Sequence, residues 1–187
     1  MARIYGAAVA LAAIALGSAY ALSDTVSEMA LLSARYTARV SFLMFLLVVS
    51  AGPAARYFRR NPWTWLARRR RHLGLAFAGL MMLHLLALAI NVLQFRPREL
   101  SEVALGGLVY VLIVLMALTS NDAAQRRMGK YWRWLHWVGV NAIVVTFTVS
   151  YTGRIFEPDY FWTGLVFAPF AIAALALRLE DALRRLR

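Results

Sequence analysis

The sequence predicts an all-α integral membrane protein, a bundle of six transmembrane helices with both termini in the cytoplasm. Three observations carry that reading. Hydrophobic residues fill 61% of the 187 positions and charged residues only 16%, whereas a soluble domain carries about 25% charged residues. The apolar residues fall in long uncharged runs, which a small soluble core could not hide. The basic residues gather at the ends of those runs, mostly on one set of loops. The whole chain, 1–187, therefore reads as one transmembrane domain.

The runs can be taken in order. Ile4–Ser23 follows Arg3 and is nearly of bilayer length. Its Ala19-Tyr20-Ala21 end resembles a signal-peptide cleavage site, but the run exceeds most signal-peptide cores, so a retained helix is expected. Cleavage would leave five helices in the same orientation. Val40–Ala55 is short, and Arg39 and Arg56 can lay their stems along it while their heads reach the interface. Leu73–Phe95 follows four consecutive arginines and His72. Val103–Asn121, Trp134–Gly153 and Tyr160–Leu177 complete the set, each close to the roughly 20 residues that a spanning helix needs. Tyr131, Trp132, Trp134 and Trp137 form an interfacial aromatic belt at the start of the fifth span.

Charge sets the orientation. One side holds Arg3, then Arg56, Arg59, Arg60, Arg68, Arg69, Arg70 and Arg71, then Arg126, Arg127, Lys130 and Arg133, and finally Arg178, Arg184, Arg185 and Arg187. That is 16 of the 21 basic residues. The other side holds Arg35, Arg39, Arg96, Arg98 and Arg154 together with six of the nine acids. Positive charge marks the cytoplasmic side. The net charge of +12 is thus a topology signal, and no nucleic-acid partner is expected. Membrane lipid is the expected surrounding, and a bacterial-type inner membrane the expected location.

Several chemistries are excluded. With no cysteine there are no disulfides, thiolate metal sites or cysteine-held iron–sulfur clusters. Neither G-x-G-x-x-G nor G-x-x-x-x-G-K-[ST] occurs, and no soluble stretch is long enough for a nicotinamide or flavin domain. No Ser-His-Asp set can be assembled, so no catalytic residue is assigned.

Three histidines remain: His72, His84 and His136. His84 lies inside the third span, roughly 18 Å along the helix from His72. An ionisable group at such depth usually faces a cavity, a partner or a cofactor. Imidazole is also the usual axial ligand of b-type haem, which needs no covalent attachment motif. A histidine bonded to a neighbouring helix would satisfy the same position. Phe77, Met81 and Leu88 share a face with His84. Asn91 and Asn141 are expected in interhelical hydrogen bonds.

Two ordered stretches narrow the reading. The first is Arg70-Arg71-His72-Leu73-Gly74-Leu75, followed by Leu83-His84-Leu85. The second is Leu118-Thr119-Ser120-Asn121, then Arg126-Arg127-Met128-Gly129-Lys130-Tyr131-Trp132, then Leu135-His136-Trp137. Over roughly residues 40–150 they resemble the ferric-reductase-like transmembrane family, and most closely its branch of haem-binding subunits of periplasmic methionine sulfoxide reductase systems. The resemblance implies a bundle that carries haem b, one or two groups, and moves electrons across the membrane. His84 and His136 fall on the family's histidine positions and are the expected haem ligands. Arg70 and Arg71 match a basic pair that lies near a flavin or a reductase docking surface, so FMN is a further candidate cofactor. Read from the residues alone, that pair is topology charge.

The chain departs from the family at one place. A further histidine is usual about 13 residues after the position of His136, where this chain has Val149 between Thr148 and Ser150. By helical rise His84 should face about Thr148–Ser150, and a single haem shared by His84 and His136 needs a register shift of roughly 10 Å. His72 lies at about the depth of His136 and is the other candidate partner for it. The expected function is a membrane electron-transfer subunit without its own nicotinamide site. It would take electrons from a cytoplasmic flavin reductase or quinol and pass them to an outer-face, periplasmic acceptor. The alternative is a haem-free scaffold or assembly subunit of the same architecture.

Overall fold

Helices form over the apolar runs and extend past them wherever flanking polar groups find partners. The computed structural model describes residues 1–58 and 61–186, the side chains of residues 100, 185 and 186 excepted. Arg59, Arg60 and Arg187, and the side chain of Arg185, counted above with the basic loops, lie outside the described residues. The helices are α1 (Ala2–Ala21), α2 (Val26–Phe58), α3 (Asn61–Arg68) and α4 (Arg70–Ile90), then α5 (Leu100–Leu118), α6 (Asp122–Met128), α7 (Lys130–Gly153) and α8 (Phe161–Leu186). Six of them, all but α3 and α6, are long and apolar enough to cross a membrane. An even number of spans returns the chain to the side on which it began.

The second span differs most from expectation. α2 starts at Val26, not Val40, and its 33 residues make a rod of about 50 Å, well beyond the roughly 30 Å of a hydrocarbon core. Arg35 and Arg39 do not end it. Upstream of Arg39 a buried stripe continues through Ala30, Ala34 and Thr37 to Ser41, at the spacing that keeps one helix face inside. α2 is the central post, packed against α1, α3, α4 and α8. α7 packs on α8 and α5.

The core is layered along the bundle. Phe45, Leu73, Phe77, Ile113, Leu135 and Val144 belong to one buried cluster, and Phe42, Tyr151, Ala168 and Ala171 form a second. Long apolar side chains elsewhere, such as Leu105 at 79% exposure, cover the outside of the bundle, as a lipid-facing surface requires.

Two junctions explain motifs noted in the sequence. Beyond Ile90 the chain makes a π-helical turn, Asn91–Phe95. There the Arg96 guanidinium donates to Asn91 Oδ1 at 2.8 Å and to the Ser27 carbonyl on α2 at 3.0 Å. Arg96 thus links Asn91 to α2. After α5, the Thr119 and Ser120 hydroxyls donate back to the Leu115 and Met116 carbonyls at 2.7 and 2.6 Å. Asn121 Oδ1 then accepts from the Ala124 N–H at 2.8 Å and caps α6. Gly129, at φ +52°, supplies the left-handed turn into α7 that side-chain-bearing residues resist. The Leu118–Gly129 stretch is therefore a helix stop, a cap, a short helix and a turn that together aim α7.

Candidate functional site

At the end of the bundle that carries most of the arginines, a cavity of about 420 Å³ lies between α2, α4, α5 and α7. Cofactor sites run from about 300 to 1,000 Å³. Its walls include Phe45, Phe77, Ile113, Trp132, His136 and Trp137, and four arginines line it as well: Arg70, Arg71, Arg133 and Arg178. No carboxylate does.

The arginines are held by the fold. Arg70 Nε donates to the Val48 carbonyl on α2 at 3.1 Å. Arg71 pairs with Asp122 and ties α4 to α6. Hydrogen bonding from Arg71 holds the Asp122 carboxyl below its ordinary range. Arg178 Nε donates to Asn141 Oδ1 at 3.2 Å, an α8–α7 bond of the interhelical kind expected for that asparagine.

His136 is fixed by its own helix. Its Nδ1 lies 3.0 Å from the Trp132 carbonyl, which can only accept, so Nδ1 carries the proton. The ring stacks on Trp132 with centroids 3.9 Å apart, and Trp132 Nε1 donates to the Thr119 carbonyl at 2.9 Å. Nε2 is buried and makes no hydrogen bond of ordinary geometry, with the Met116 carbonyl of α5 as a backbone neighbour of the ring. Buried nitrogens in that state are uncommon in folded interiors.

His84 stands fourteen residues into α4 and His136 six residues into α7, so their depths differ by about 12 Å. His84 Nδ1 is 3.2 Å from Thr37 Oγ1 on α2, and its ring is 6.3 Å from that of Tyr110 on α5. It does not line the cavity. His72 is turned toward α1, with Nδ1 3.1 Å from the Tyr5 hydroxyl and the two rings edge to face. Of the three histidines only His136 is among the residues that line this cavity. Nor do Thr148–Ser150 supply a partner: the Thr148 hydroxyl meets the Ala171 carbonyl on α8, while Val149 is 65% exposed. The reason lies in packing, because α4 lies against α2, α1 and α5 while α7 turns to α8 and α5. Among the described residues no three His, Asp or Glu side chains gather as a metal cluster.

Residues 35–147, more than half of the chain, match the family described as the ferric reductase like transmembrane component. The chain belongs to the ferric-reductase-like transmembrane family. The matched segment opens within α2 and closes within α7. It contains all three histidines and both cavity arginines of α4, and leaves α1 and α8 outside. A ferric-reductase-like domain points to a role in membrane electron transfer. No solved structure matches the chain.

Sequence reasoning missed one cluster. Arg35 donates to the Tyr160 hydroxyl and lies over its ring at 4.6 Å, and Arg39 donates to Thr163 Oγ1 at 2.9 Å. Arg154 lies over Tyr151 at 5.2 Å. The Tyr151 side chain is buried, and Arg154 is the cation beside it. In the sequence, charge at Arg35 and Arg39 ends the apolar run and so hides their place within α2. The Ala30, Ala34 and Thr37 stripe, at helical spacing, was the available signal that the helix continues.

Proposed function

We propose that this protein is a b-type haem electron-transfer subunit of a membrane oxidoreductase, akin to the MsrQ/YedZ branch of its family. One observation supports this most. Two imidazoles lie inside spanning helices, His84 and His136, and each has Nδ1 beside an oxygen of the protein, Thr37 Oγ1 for His84 and the Trp132 carbonyl for His136. Ligating histidines are commonly oriented in this way through their other nitrogen.

The residues fit haem in their chemistry. Imidazole is its ordinary axial ligand, and the buried Nε2 of His136 is an atom that such a ligand bond would satisfy. When bound, haem supplies one-electron transfer in a dry interior. The chain's own residues do the rest. Thr37 and the Trp132 carbonyl fix the two ring orientations. Phe45, Phe77, Ile113 and Trp132 exclude water from the cavity, while Arg70, Arg71, Arg133 and Arg178 favour acidic groups there. The depth difference favours two haem groups with one imidazole each over one shared group. His72, bonded toward Tyr5, is the weaker candidate ligand.

On this reading electrons enter at the arginine-rich end, in the cytoplasm, from a flavin reductase or quinol. Arg70 and Arg71 belong to the docking region or to an FMN site, and an acceptor waits at the periplasmic face of a bacterial inner membrane. Optical spectra of detergent-purified protein, oxidised and dithionite-reduced, test the proposal. Soret and α bands of b-type haem are expected, and the ferrous form should bind carbon monoxide at a substantial fraction of sites because each has one imidazole. Colourless protein from haem-replete cells would favour the scaffold role instead.

A further inference from the structure

A second concave site lies outside the electron-transfer region. The eight-residue helix α3 and the start of α1 enclose a cleft of about 690 Å³. Arg3, Arg68 and Arg69 line it, with Asn61 and Thr64 as further polar groups and Trp65 and Leu66 as the apolar part. No acid lines it, and none of the three arginines forms an ion pair among the described residues.

That lack is selective. At the same end of the bundle the fold gives Arg56 to Asp181, Arg71 to Asp122 and Arg184 to Glu180. Three guanidiniums around one cleft without a carboxylate repel one another and favour an anion. Arg69 is held in place by its own stack, 4.5 Å over the Trp65 ring. Trp65 and Leu66 are also packed against the main core cluster, so the cleft joins a cationic rim to an apolar floor. Arginine is suited to phosphate because its planar fork can donate two parallel hydrogen bonds.

We infer that this cleft binds the phosphate headgroup of an anionic phospholipid. Arg3, Arg68 and Arg69 neutralise the phosphate, and Trp65 and Leu66 receive the glycerol and first acyl carbons. A free phosphate would use the arginines but leave the apolar floor unused, which is why the lipid is the better occupant. Basic pockets beside spanning helices commonly take such headgroups. The inference is independent of haem, since no histidine lines the cleft.

Native mass spectrometry of the full chain, released from detergent containing equal phosphatidylglycerol and phosphatidylcholine, provides the test. Phosphatidylglycerol should be retained preferentially. Arg68→Gln, at an exposed side chain on the last turn of α3, should lower that preference by roughly five-fold, the effect of one surface cation on an anionic lipid. Arg3→Gln combined with Arg68→Gln and Arg69→Gln should abolish it. Arg126→Gln with Arg127→Gln, equally basic but on α6 outside the cleft, should leave it unchanged. Equal retention of the two lipids, or equal loss in the α6 variant, overturns the proposal by reducing it to general attraction. Displacement of the bound lipid by millimolar inorganic phosphate overturns it too, by showing that the acyl part is not held.

Discussion

Thr37 on α2 and His84 on α4 form a directed pair. The Thr37 hydroxyl gives its one proton to the Ser33 carbonyl at 2.6 Å, so it receives the Nδ1–H of His84 at 3.2 Å. Thr37 is fully buried, and α2 therefore selects the His84 tautomer from within the bundle. Thr37→Val keeps the shape and removes the acceptor. Losing this hydrogen bond should cost about 0.5–1.5 kcal/mol, read as a lower unfolding temperature. Loss of a partner behind a ligand should also weaken haem retention by roughly 10–100-fold, and Thr37→Ser should restore both. Normal retention in Thr37→Val would detach this pair from the cofactor.

Asp122 offers a pH test. Arg71 holds its folded-state carboxyl below the ordinary range, so the pair contributes stability above the unfolded carboxylate pKa of about 4. That contribution is lost as pH falls through the depressed folded value. Unfolding temperature should drop more steeply across this acidic window in the native protein than in Asp122→Asn. Parallel profiles would mean that the α4–α6 tie carries no stability, as exposed pairs often do.

Much of this was legible from the residues. The six spans follow from uncharged runs because lipid accepts no unpaired backbone, so long apolar stretches have only one solution. His136 and His84 could be named because ionisable groups inside apolar runs are rare. Partners were harder to read. The bond from Thr37 to His84 crosses between helices whose rotation is set by packing, and charge at Arg35 and Arg39 masked twelve residues or more of helix. The lateral facing of His84 failed for the same reason: rise along a helix gives depth but not which neighbour the helix clasps.

Gly164 tests the contact that closes the turn between α7 and α8. A Cβ there would stand 2.6 Å from the Ile155 nitrogen and 2.9 Å from the Arg154 carbonyl carbon, both backbone atoms that cannot swing aside. Gly164→Ala should therefore destabilise by about 1–3 kcal/mol. Gly107→Ala on α5, with nothing within 4 Å, should be neutral or stabilising by up to about 1 kcal/mol. Equal thermal stability of the two variants would contradict the close approach of α8 to this turn.

Topology follows from the bias of the arginines. Reporter fusions at Arg98 and at Arg126 should signal opposite compartments, with Arg126 cytoplasmic. The same compartment for both would break the six-span arrangement.

The central claim is that His84 and His136 hold haem, and the haem-to-protein ratio after mutation tests it most directly. Purified His84→Ala and His136→Ala should each lose part of the native haem content, and the double variant should lose all of it while remaining folded in detergent. Haem retained at the native ratio in the double variant would contradict the account.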